Sequence, residues 1–102
     1  MEKVIEMKKY GIVLTGREFG IDVMKILIRE INNKDEILLD FKGVASVGSS
    51  FADEVLVPVA NLRNGKVKIK NLSTPVRSCL VDVARDNAIS LEIETSASHT
   101  SS

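Results

Sequence analysis

The chain is short of the residues that usually announce a function: it holds one cysteine, one histidine, one tyrosine, three phenylalanines and no tryptophan. A lone cysteine excludes an internal disulfide, and one cysteine with one histidine supplies no ligand set at metal-binding spacing. Charge of one sign is missing too. Lysine and arginine total 14 and so do aspartate and glutamate, which leaves no positive surplus for a nucleic-acid groove or an anionic membrane surface. No apolar run reaches bilayer length and no signal-like apolar core follows Met1, so the expectation is a cytoplasmic protein. Phosphate-binding glycine motifs are absent: GREFG at 16–20 lacks the required glycines. A serine nucleophile would need a base, and His99 lies in a polar tail. The expectation is therefore no catalytic residue, no metal, no cofactor and no enzyme activity.

What is present is an alternation of strand-like and helix-like segments in 102 residues, enough for one domain with a modest core. Residues 3–7 and 12–14 read as strands around a Tyr10-Gly11 turn. Thr15 and Glu18 fit a capping box ahead of an apolar-periodic helix over 19–31. Residues 36–41 have adjacent apolar positions, as in a central strand covered on both faces. A second helix is predicted over 49–63, with Pro58 removing a bond back to Glu54 and Asn64-Gly65 ending it. Lys66, Lys68 and Lys70 alternate with Val67 and Ile69 in a strand with one wet face. Thr74 caps a third helix starting at Pro75, with Val76, Cys79, Leu80, Val83 and Ala84 on its apolar stripe and Cys79 as a buried thiol. Residues 90–94 alternate again, and 95–102 form a disordered polar tail after a domain over 1–94.

The order implies an α/β domain with about three helices and a mixed or mainly parallel sheet of four to five strands, the helices serving as right-handed crossovers. It also predicts that the helix starts near Arg17, Ser49-Ser50 and Thr74 gather at the carboxyl ends of the strands, where open α/β sheets bind ligands.

The segment LLDFKGVASVGSSFADEVL at 38–56 resembles the signature of STAS domains, the anti-anti-sigma-factor fold. There a strand ending in Asp leads through an apolar-Gly-apolar loop to Asp-Ser-Ser-Gly at a helix start. Asp40, Gly43, Val44, Val47, Ser49 and Ser50 stand at the matching positions, while Gly48 replaces the Asp and Phe51 the Gly. LSTPVRSCLVDVARDNAISLEI resembles the last helix and strand of that family, and TGREFG with Ser-Ser-Phe-Ala-Asp brings the chain closer to the STAS-like domains known as DUF4325. The resemblance implies a non-catalytic regulatory interaction module whose partner is a serine kinase of the histidine-kinase-like ATPase type, with Ser50 as the acceptor position and Ser49 beside it.

On the residues alone, Ser50, Asp53 and Glu54 share one helix face. A phosphate there gains about 0.3–1 kcal/mol per charge from the helix start and is repelled by the carboxylates. Taken with the resemblance, this polar face sets the expected docking surface at Gly48, Asp53, Glu54 and Asn61. Two alternatives stand beside it. The serines are plain helix caps, or the helix starts with Arg17 and Thr74 seat a phosphate or nucleotide. Finally, the apolar positions of the first helix sweep about 220°, leaving a shoulder at Ile21 and Ile28 as a candidate homodimer surface.

Overall fold

The computed structural model describes residues 2–32 and 35–94. The elements run β1 (Glu2–Glu6), a 3-10 turn (Met7–Tyr10), β2 (Val13–Leu14), α1 (Arg17–Glu30), β3 (Glu36–Asp40), β4 (Ser46–Val47), α2 (Ser49–Leu62), β5 (Lys66–Lys70), α3 (Thr74–Asp86) and β6 (Ser90–Glu94). The main sheet has four strands in the order β1-β3-β5-β6, all parallel. The strands are added in one direction across the sheet, and right-handed crossovers then put every helix on the same face. The strand order never reverses, so the crevice that reversal creates in doubly wound sheets is not formed.

Ile5, Ile37, Leu39, Val67 and Ile69 point to the helical face and join one core with Val23, Leu27, Phe51, Val55, Leu56, Val59, Val76 and Leu80. The alternation expected in β5 and β6 is present, with Lys66, Lys68 and Lys70 on the outer face. The coverage of β3 on both faces, expected from its adjacent apolar positions, is present. Ile37, Leu38 and Leu39 are all buried, but Leu38 stands outside the core cluster. Its register partner Lys68 reaches Glu36 at 3.1 Å and Glu2 at 3.9 Å, so an ionic lattice, with Val4 alongside, closes over it in place of a second helical layer. The Lys68 hydrogen bond lowers the Glu36 carboxyl from its usual value, and the same bond raises Lys68.

Three boundaries differ from the sequence reading for local reasons. Met7 leaves β1 and opens the 3-10 turn. The strand at 12–14 shortens to Val13–Leu14 and pairs, outside the main sheet, with Ser46–Val47, a segment read as loop. The Thr15–Glu18 capping box does not form: Gly16, at φ 98°, is the N-cap and no side chain caps α1, a torsion that glycine adopts without strain. α2 runs through Pro58 to Leu62, and Asn64 and Gly65 turn the chain at φ 57° and 83°.

At α3 the cap is Ser73, not Thr74: its Oγ accepts from the Val76 amide at 3.4 Å. Ser73→Ala should cost about 0.5–1 kcal/mol in urea denaturation, at the low end for a cap because the bond is long, while Thr74→Ala changes stability by less than about 0.5 kcal/mol. Equal losses from the two substitutions would place the cap elsewhere. Residues 95–102, read as a tail, lie outside the described residues, and His99 with them.

Candidate functional site

Two short strands place both helix starts that matter. In the β2–β4 ladder the amides of Ala45 and Gly48 donate to the carbonyls of Ile12 and Leu14 at 2.8 and 2.9 Å. α1 therefore begins beside α2. The helices also touch closely where α1 carries Gly20: a Cβ there would stand 2.8 Å from Cβ of Glu54 and 3.1 Å from the carbonyl oxygen of Phe51.

This packing sets Arg17, the first residue of α1, against the first turns of α2. Its guanidinium bonds Glu54 at 2.5 Å and lies 3.5 Å from Asp53. The hydrogen bond to Glu54 is the main reason its pKa is raised, with Asp53 adding to it. From the other side Asn87, at the end of α3, donates through Nδ2 to Asp53 at 3.0 Å and to the Val83 carbonyl at 2.9 Å. Arg17, Ser49, Ser50, Asp53, Val83, Asp86 and Asn87 thus wall a groove of about 340 Å³. Among its lining side chains one guanidinium faces two carboxylates, and Glu54 adds a third behind them. The groove carries net negative charge.

The serines occupy the first two positions of α2, behind an N-cap that is Gly48 at φ −88°, ψ 153°, and no side chain caps the helix. Plain capping, the ordinary alternative for Ser49 and Ser50, is therefore overturned, since glycine serves as N-cap with its backbone alone. Ser49 is exposed and Ser50 half-buried, and both open on the groove. Phe51 turns the opposite way: it is 1 % exposed, with its ring 5.4 Å from that of Phe19. The bulky residue that replaces the glycine of the STAS pattern is spent on the core and leaves the rim of the groove clear.

Ser49, Ser50, Asp53 and Arg17 meet at this groove, with Glu54 holding Arg17 from behind. Thr74 and Asn61 stand elsewhere. α3 lines the groove with its last turn, and at 1.5 Å per residue Thr74 lies about 18 Å along the helix from Asp86. The expectation that three helix starts share one edge is corrected accordingly. Asn61 belongs to a different, apolar depression with Ile28, Ile31, Pro58 and Leu62. Gly48 contributes backbone only. Val83, Asp86 and Asn87 were not visible as site residues, because nothing local in the sequence tells which helix end faces Ser50.

Cys79 is half-buried, and burial, with Asp82 second, raises its thiol. Among the described residues no group of three or more His, Cys, Asp and Glu could hold a metal ion, and no helix is long and apolar enough to cross a membrane.

Compared with known proteins, the chain matches over residues 20–77 the model of a family described as a STAS-like domain of unknown function, DUF4325. No curated protein and no solved structure gives a match. The matched stretch runs from Gly20 in α1 into α3 and includes both serines, Asp53 and Glu54. With more than half of its residues covered and a parallel sheet flanked by three helices, the chain belongs to the STAS-like DUF4325 family.

Proposed function

We propose that this domain is a non-catalytic regulatory module that docks a protein partner at the groove between the start of α2 and the end of α3, and that phosphorylation of Ser50 switches the docking. The supporting observation is the serine pair itself: it opens on a charged groove and is not needed to cap its helix. The kinase fitting the family resemblance is an ATPase of the histidine-kinase-like type.

The electrostatics give the switch its direction. A phosphate brings about two negative charges into a groove already lined by Asp53 and Asp86. It gains from the α2 N-terminus and competes with Glu54 and Asp53 for Arg17. Either way the face a partner meets becomes more negative, so an acidic or apolar partner surface binds less well after modification.

The test combines modification with binding. Protein recovered from its native cells should carry one phosphoryl group by intact mass, lost in Ser50→Ala, and a partner captured by the wild type should bind Ser50→Glu at least about tenfold more weakly, a change of roughly 1.4 kcal/mol. Unmodified protein whose partner binding ignores Ser50→Glu overturns the proposal. Binding of a small phosphate or nucleotide, the alternative, requires Arg17 to leave two carboxylates, with Thr74 too distant to help. A rise in melting temperature with inorganic phosphate or ATP would favour it, because only a ligand of the folded state stabilises.

A further inference from the structure

The outer flank of α1 is apolar where a helix packed on one sheet needs no more apolar surface. Gly20, Val23, Met24 and Leu27 are its buried residues. Ile21 and Ile28 are nonetheless 38 % and 59 % exposed. They fall on one line along the helix, seven residues apart. Where α1 meets α2 the line runs into the depression of about 310 Å³ that Ile28 and Ile31 share with Pro58, Asn61 and Leu62. Leu62 is itself 44 % exposed.

Beside this line runs a second one, made of Glu18, Asp22, Lys25 and Arg29, all exposed and none with an ion-pair partner among the described residues. The acids come first and the bases last. That order is self-complementary under only one arrangement. We infer that this flank binds a second copy of the chain, with the two α1 helices antiparallel about a two-fold axis passing beside Lys25.

Antiparallel pairing about that axis sets Ile21 of each copy against Ile28 of the other, at the mouth of the apolar depression. It places Arg29 at the level of the other copy's Gly20, between Glu18 and Asp22, and each contact occurs twice, as an isologous interface requires. Lys25 lies beside the axis and so meets Lys25 of the other copy, a single like-charge contact that Asp22 of both copies, the nearest acids, offsets. A parallel pairing would put acid on acid and base on base. The helix dipoles also oppose each other in the antiparallel arrangement. The residues after Glu94, TSASHTSS, contain no large apolar side chain and make a poor occupant. A two-helix contact is small for a stable interface, so the expected dissociation constant is roughly micromolar.

Sedimentation equilibrium of the whole chain tests this. The wild type should be a monomer–dimer mixture, and Ile28→Glu, on an exposed position where folding is expected to survive, should weaken the dimer at least about tenfold with an unchanged circular dichroism spectrum. The double variant Lys25→Glu, Arg29→Glu gives an all-acidic line, and the double variant Glu18→Arg, Asp22→Arg an all-basic one. Each alone should be monomeric, while their equimolar mixture should form a heterodimer that dissociates with salt. A wild type that stays monomeric to about millimolar concentration, a dimer indifferent to Ile28→Glu, or a mixture that fails to associate overturns the inference.

Discussion

Replacing Phe51 with alanine should lower stability by about 3–5 kcal/mol, the range for a buried aromatic whose loss leaves a cavity. The side chain is 1 % exposed and packs against Phe19, with ring centroids 5.4 Å apart at 46°. It joins the start of α2 to the core, so its removal also frees the turn that presents Ser49 and Ser50. Domains of this size hold about 5–15 kcal/mol in total, so the loss is a large share of what there is. The melting temperature should fall by about 12 °C or more, at roughly 4 °C for each kcal/mol. Urea denaturation of the two proteins measures it. A loss below about 1 kcal/mol would mean that the ring lies outside the core and occupies the rim of the groove.

Gly20→Leu is the second large effect, and its sign separates two kinds of force. Helix propensity alone favours leucine over glycine by nearly 1 kcal/mol. Packing opposes it, because a Cβ at that position would lie 2.8 Å from Cβ of Glu54 and 3.1 and 3.3 Å from backbone atoms of Phe51. Backbone cannot swing aside as the end of a side chain can, so α1 must back away from α2, an overpacking cost of about 1–3 kcal/mol or more for the bulkier residue. The net expectation is destabilisation of at least about 1 kcal/mol, with the Arg17–Glu54 pair pulled apart, read as a change in the Arg17 side-chain resonances. A variant as stable as the wild type would show that the helices have room between them.

Strong periodicity was readable and short or long-range features were not. β5 and β6 coincide with the predicted residues because each alternates over five positions, and α1 and α2 lie within two residues of their predicted ends because their apolar stripes are long. β4 is two residues long, too short for any period to register. The caps lie one residue from those expected at α1 and α3, and one before the serines offered as caps at α2, because neighbouring Ser, Thr and Gly all suit an N-cap. Which of them does so depends on where the chain enters. The wet face was legible in β5 and β6, but the sequence did not tell what covers the outer side of β3, because Leu38 looks like core while the side chains beside it on that face are Lys68 and Glu36. At the site, the serines and the acids after them were legible as a local pattern. The arrival of Arg17 from α1 and Asn87 from α3 was not, since each is more than thirty residues from the carboxylate it meets.

The β2–β4 ladder ties α1 and α2 at their roots. The carbonyl of Leu14, three residues ahead of Arg17, receives the amide of Gly48, the residue immediately before the serines. Arginine and hydroxyls are thus mounted on one bracket, and a push that tilts either helix start must drag the other along. Any displacement of Ser50 would therefore reach Arg17 through the backbone bonds of the ladder, without a relay through the core.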